Sequence, residues 1–151
     1  LVSQWGLLGL TPAAGEWEAD HLMRAARLEL PAGGQGPGFL TFPNFRVIKQ
    51  YNNSTSYAIG VAHLADRIAG EAALVGPWPE GNPPINRSQT RDVQAALNAL
   101  GFDSGTPDGL AGPNTRAALR AFQRANGLIP DGYLGRTMFD AVIAAQVAQT
   151  D

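Results

Sequence analysis

Apolar residues recur at helical spacing in four stretches of this chain, and the intervals between them are rich in glycine and proline. From Tyr57, the residues Val61, Leu64 and Ile68 follow at spacings of four, three and four, with Ala58, Ala62, Ala65 and Ala69 beside them. That pattern predicts a helix with one buried face, stopped by Gly70. Val93, Ala96, Leu97 and Leu100 predict a second helix, capped by Ser88 and ended by Gly101. Pro113 suits the first turn of a third, with Ala118, Leu119, Phe122 and Ala125 facing inward and Gly127 at its end. Met138, Phe139, Val142, Ile143 and Val147 predict a fourth.

The first part of the chain is less regular. "SQWGLLGL" reads as a short amphipathic stretch. "AGEWEADHLMRAARLELPAGGQGPG" holds a helix turn and then a Gly/Pro loop at 31–38. "GFLTFPNFRVIKQY" gathers Phe39, Leu40, Phe42, Phe45, Val47 and Ile48, and reads as partly strand, broken at Pro43. Residues 73–87, "ALVGPWPEGNPPINR", hold four prolines and two glycines and read as a semi-rigid linker. Three segments result: 1–72, the linker 73–87, and 88–151, whose three helices make a small core.

An internal repeat lies in the last segment. "PDGLAGPNTRAAL" (107–119) and "PDGYLGRTMFDAV" (130–142) align at a shift of 23 residues. Asp108 and Asp131, Gly109 and Gly132, and Gly112 and Gly135 coincide. An Asp-Gly pair suits a tight turn in which the glycine takes positive φ. Thr115 has Met138 as its counterpart, with Thr137 one place early, a departure that bears on the cap of the last helix.

Composition narrows the chemistry. The 151 residues carry a net charge of −2, which gives the chain as a whole no electrostatic footprint for nucleic acid or an anionic membrane. No stretch approaches the roughly 20 apolar residues of a membrane span. There is no cysteine, so disulfides and thiolate chemistry are excluded. His21 and His63 stand apart, without the spacing of a zinc motif, so no metal and no cofactor is expected. The chain begins without Met or a charged leader and reads as an internal position of a longer protein. One polar run, "YNNSTSY" at 51–57, is longer than helix capping requires.

Residues 88–148 resemble the three-helix peptidoglycan-binding domain of bacterial cell-wall enzymes, carried by "SQTRDVQAALNALGF", "PDGLAGPNTRAALRAFQRANGL" and "PDGYLG". Residues 1–72 resemble the C-terminal end of the catalytic domain of the membrane-bound lytic murein transglycosylase B family. "WGLLGL" and "NFRVIKQYNNSTSYAIGVAHLADRI" carry that likeness. The resemblance implies a mainly α chain: a truncated lysozyme-like remnant followed by a small three-helix domain. The remnant is expected to expose apolar surface, because Trp5, Phe39, Phe42, Phe45 and Val47 lack upstream partners.

The resemblance also implies the chemistry. Lytic transglycosylases cleave the MurNAc–GlcNAc bond with one acid, which protonates the glycosidic oxygen and then acts as base while the sugar's own C6 hydroxyl attacks C1. A 1,6-anhydro sugar forms and no water is consumed, unlike in the two-carboxylate glycosidases. The family's Glu is expected upstream of Leu1. Glu16, Glu18, Glu29 and Glu71 lack its local motif, so the chain is expected to be inactive alone. In the family an Asn and a Tyr five residues later line the cleft, and Asn52 and Tyr57 match them. In the last segment, the groove bordered by Asp108, Gly109, Asp131, Gly132 and Tyr133 is the candidate wall-binding surface. Asp108 and Asp131 equally fit a role bracing their turns, and Tyr133 either stacks on a sugar or fills the core as Leu110 would.

The implied partner is peptidoglycan, for a periplasmic monomer of a Gram-negative bacterium. Outer-membrane association through a segment before Leu1 stays open. Two other classes compete: an anchor module without catalysis of its own, and nucleic-acid binding through Arg116, Arg120 and Arg124. Such a charge stripe is more simply a solvated helix face.

Overall fold

A computed structural model of the chain describes residues 1–76 and 78–150. It is mainly helical: α1 (Val2–Leu7), β1 (Arg27–Glu29), β2 (Phe39–Thr41), α2 (Phe45–Tyr51), α3 (Thr55–Ile68), α4 (Arg87–Ala99), α5 (Pro113–Ala125) and α6 (Arg136–Thr150). The chain divides into two compact units. One comprises Leu1–Pro31 with Gly36–Pro77, the other Ala32–Gln35 with Trp78–Asp151. Among the described residues no helix is long and apolar enough to cross a membrane.

In the first unit, β1 and β2 pair antiparallel, with Leu28 opposite Leu40. The amides of Val2 and Ser3 in α1 donate to the carbonyls of Arg24 and Leu22, and the Trp5 indole donates to Ala26 O at 3.1 Å. The strand character of "GFLTFPNFRVIKQY" ends at Thr41. Beyond Pro43, residues Phe45, Val47 and Ile48 are helical rather than extended. Phe45 and Ile48 stand three apart and share one face of α2, which packs on Ala58, Ile59 and Ala62 of α3. That contact is what a strand could not make.

The predicted buried face of α3 is open instead. Ala58 and Ile59 are buried, while Leu64 is 61% and Ile68 80% exposed, with Tyr57 and Val61 at 40% and 37%. The covered strip of α3 is the one that faces α2, where Ala58, Ile59 and Ala62 meet Phe45 and Ile48. The expected exposed set is also redistributed. Val47 is exposed, but Phe45 is buried, and Trp5, Phe39 and Phe42 are half-buried.

In the second unit, α4, α5 and α6 close a core of Val93, Ala96, Leu97, Ala118, Leu119, Phe122, Leu134 and Val142. Phe102 meets Phe122 edge-on at 5.7 Å. The cap of α4 is Asn86, not Ser88. Asn86 Oδ1 accepts from Gln89 N, and Gln89 Oε1 accepts from Asn86 N, a reciprocal pair that satisfies two donors and leaves Ser88 inside the first turn. Ala125, predicted to face inward, and Val147, part of the pattern that predicts the last helix, are exposed near the ends of α5 and α6.

Candidate functional site

The polar run at 51–57 forms the corner between α2 and α3. Tyr51 ends α2, and Asn52 follows in extended conformation. Asn52 Oδ1 accepts from Ser54 N at 3.0 Å, and Ser54 caps α3 by accepting from Tyr57 N at 3.3 Å. Lys49 Nζ donates to Thr55 Oγ1 at 2.9 Å, tying α2 to the start of α3. The rings of Tyr51 and Tyr57 lie 6.2 Å apart. Asn52 and Tyr57 thus sit at one corner, both exposed, and the Tyr57 hydroxyl has no hydrogen-bond partner among the described residues.

A groove of about 740 Å³ adjoins that corner on the first unit, lined by Arg27, Glu29, Thr41, Arg46, Lys49 and Asn53 among others. It includes Asn53 but neither Asn52 nor Tyr57. No carboxylate described in this unit is buried, as a proton-donating acid with a raised pKa would be. Glu16, Glu18 and Glu71 are exposed and Glu29 is half-buried. Glu18 pairs with His21 at 3.1 Å, and with Asp20 these ligand atoms lie within 4.8 Å of one another on an exposed turn.

The two Asp-Gly loops of the second unit are built alike, around a residue the sequence reading missed. Gln94 of α4 and Gln123 of α5 are almost fully buried, at 1% and 3% exposure. Gln94 Nε2 donates to Asp108 Oδ1 and Gln94 Oε1 accepts from Gly109 N; Asp108 Oδ1 also accepts from Leu110 N. Gln123 repeats this on Asp131, Gly132 and Tyr133, at 2.7, 2.9 and 2.8 Å. The amides of Gly109 and Gly132 are therefore spoken for inside the turns. Both glycines have positive φ, and a Cβ on Gly109 would lie 2.6 Å from Arg87 O. In the sequence each glutamine adjoins the apolar stripe of its helix, next to Val93 and Phe122, and nothing local sets it apart from a solvated residue.

Charge follows the same bonds. The Leu110 amide first, and then the Gln94 carboxamide, hold the Asp108 carboxyl below the usual carboxylate range. Burial, and then the neighbouring Asp131 carboxylate, push the Tyr133 phenol up, so it stays a donor at neutral pH.

The loops differ in what lies against them. Tyr133 is half-buried and its hydroxyl donates to Asn82 O at 3.1 Å. Asn82 Oδ1 accepts from Thr137 N and Pro83 O from Arg136 N, so α6 takes its cap from residues 82–83. Asp131 Oδ2 accepts from Gly34 N at 2.7 Å. At the first loop, Thr115 Oγ1 and Leu110 O also accept from Gln94, and Leu110 is 57% exposed. Of the arginine stripe on α5, Arg116 and Arg124 are exposed and Arg120 is half-buried beside Gly132.

Comparison with known proteins adds to this geometry. Residues 1–66 match the transglycosylase SLT domain, and residues 86–142 match a putative peptidoglycan binding domain. An uncharacterized protein from the bpoA1 3' region of Kitasatospora aureofaciens is 29% identical over 87 residues, covering 54% of this chain and 74% of that protein. The crystal structure of SltB3 from Pseudomonas aeruginosa in complex with NAG-anhNAM-pentapeptide is 40% identical, with a TM-score of 0.86. The same protein with NAG-NAM-pentapeptide gives 0.87. In both cases the likeness covers 93% of this chain and 38% of SltB3, so the chain spans well under half the length of that relative. Two family models thus match the chain in series, the transglycosylase SLT domain over 1–66 and the putative peptidoglycan binding domain over 86–142.

Proposed function

We propose that this chain is the C-terminal part of a peptidoglycan lytic transglycosylase of the membrane-bound lytic murein transglycosylase B type. Residues 1–72 are the end of its catalytic domain, 73–87 a linker, and 88–151 a wall-binding domain. The observation that carries this is the 40% identity, over 93% of the chain, to SltB3, a protein solved with an anhydro-muropeptide. The activity is non-hydrolytic cleavage between MurNAc and GlcNAc, leaving 1,6-anhydro-MurNAc ends, by a periplasmic monomer.

In this reading the acid lies upstream of Leu1, and the α2–α3 corner supplies the side of the cleft. The Asn52 side-chain nitrogen is the donor left over once Oδ1 has taken Ser54 N, and it is placed to hold an acyl or carboxylate oxygen of the substrate. The free hydroxyl of Tyr57 is placed to hydrogen-bond the acid or the sugar, at an angle set by the capped start of α3. The exposed stripe Val61–Leu64–Ile68 then packs against the rest of the catalytic domain. Peptidoglycan is held by the second unit in the groove bordered by the Asp-Gly loops.

Product analysis tests the proposal. The protein extended upstream to include the acid is expected to release 1,6-anhydro-muropeptides from sacculi, and Tyr57→Phe in it is expected to fold normally and turn over more slowly. The 151-residue chain is expected to release none, since general acid catalysis typically contributes about 10²–10⁴-fold. Reducing-end products from the extended protein would overturn the reaction type. A second reading, an anchor without catalysis, has in its favour that none of the glutamates of the first unit is buried. An extended protein that binds sacculi but releases nothing would establish it.

A further inference from the structure

The two Asp-Gly repeats share one internal clamp, yet one is covered and the other is open. At the second repeat the chain supplies its own amide groups as occupants. An amide N–H, from Gly34, sits on Asp131 Oδ2. An amide oxygen, Asn82 Oδ1, sits on the backbone N–H of Thr137, the second residue of α6. Residues 83–84 complete the cover: Pro83 O accepts from Arg136 N, and Pro84 bridges Gly135 antiparallel.

The same positions at the first repeat are Asp108 Oδ2 and the backbone N–H of Asn114, the second residue of α5. Neither has a hydrogen-bond partner among the described residues. They border a cavity of about 270 Å³ whose lining includes Gln94, Ser104, Asp108, Leu110, Asn114 and Thr115. Gln94, Ser104 and Thr115 are each at least 95% buried and bonded to one another or to nearby backbone, so this wall is fixed in place.

We propose that this cavity is the wall-binding site of the second unit and takes an acetamido group of the peptidoglycan glycan. Its N–H donates to Asp108 Oδ2, its carbonyl oxygen accepts from Asn114 N, and its methyl group lies against the exposed Leu110. The second repeat is closed by the chain itself and binds no wall. The proposal rests on the wall-binding reading above and narrows it to one repeat.

The choice of an acetamido sugar over a stem peptide follows from one substitution. At the second repeat, Arg136 N is the donor that takes the carbonyl of the strand-like segment 83–84. The first repeat has Pro113 in that place, which has no N–H. An extended peptide therefore loses its main-chain pairing there. A compact secondary amide, which needs one donor and one acceptor, keeps both.

The test is a titration of the ¹⁵N-labelled 151-residue chain, followed residue by residue by NMR. Tetra-N-acetylchitotetraose is expected to shift the amides of Leu110 and Asn114 and leave those of Gly34 and Thr137 in place. Cellotetraose, which lacks acetamido groups, and a stem peptide, L-Ala-γ-D-Glu-L-Lys-D-Ala, are expected to shift neither. Asn114→Pro removes the donor at a helix position that tolerates proline, and is expected to weaken binding at least tenfold. Asp108→Asn keeps an oxygen for the turn and replaces the other acceptor with a donor; its binding is expected to fall by a similar factor while the protein stays folded. Shifts at Thr137 as large as at Asn114, shifts with the stem peptide instead, or full affinity in a folded Asn114→Pro or Asp108→Asn protein would overturn the proposal. Binding of the chain to insoluble sacculi without any response to the oligosaccharide would overturn it and leave the wall-binding reading standing. Failure to bind sacculi at all would sink both.

Discussion

At the scale of single residues, two buried glutamines organise both Asp-Gly turns of the second unit. Gln94 and Gln123 each satisfy both ends of a turn, donating to the Asp carboxylate and accepting from the Gly amide. Leucine at either position would leave the glycine amide buried without an acceptor, which costs about 1–3 kcal/mol. Gln123→Leu is expected to lower stability by that amount in a urea melt, and Gln94→Leu, which also loses a bond to Thr115, by at least as much. Asp108 adds a pH dependence. Its carboxyl is held below its unfolded value, so its contribution is complete above the ordinary carboxylate range and is lost as pH falls through the folded-state pKa. Asp108→Asn is therefore expected to lower the urea midpoint at neutral pH, and the gap to the parent chain is expected to narrow in acid. A gap that widens in acid would contradict the assignment. Tyr133→Phe is expected to lose about 0.5–1.5 kcal/mol, the value of its bond to Asn82 O, and to keep wall binding.

The glutamine clamps were not legible from the sequence, and the reason is specific. Gln94 precedes its aspartate by 14 residues and Gln123 by 8. The loop after α4 is longer and is tied by Asn98 and Ser104, so aligning the repeats on their Asp-Gly pairs puts the two glutamines out of register. The Asp-Gly turns themselves were legible, because positive φ there demands glycine.

At the scale of elements, helical period identified α3, α4, α5 and α6, since each is long enough to repeat its apolar stripe. The stretch that holds α2 reads in the sequence as partly strand, broken at Pro43. The helix has only seven residues, and Phe45, Val47 and Ile48 suit a strand by residue type. α3 shows the limit of periodicity in another way. Spacing says which residues share a face, and not whether anything covers that face. Leu64→Lys and Ile68→Lys are accordingly expected to change the stability of this chain by no more than about 0.5 kcal/mol, the usual size of a surface change. A large loss would mean the stripe is packed in this chain. The cap of α6 is an element-scale dependence that no local pattern could reveal, because Asn82 lies 55 residues before its partner, Thr137. Asn82→Ala is expected to cost about 0.5–2 kcal/mol, as for other lost caps.

At the scale of the whole molecule, two units with separate cores divide the work that the proposed function assigns. The first presents an exposed corner, Asn52 with Tyr57, beside a groove and an uncovered apolar stripe. The second is a closed three-helix core with one open loop face. The likeness to SltB3 runs through both, at 40% identity over 93% of the chain, and the proposed function takes both units to the cell wall. Co-sedimentation of the purified 151-residue chain with insoluble peptidoglycan sacculi tests that claim most directly. The account predicts that the chain pellets with the sacculi and is displaced into the supernatant by tetra-N-acetylchitotetraose. A chain that stays in the supernatant at every sacculus concentration would contradict it.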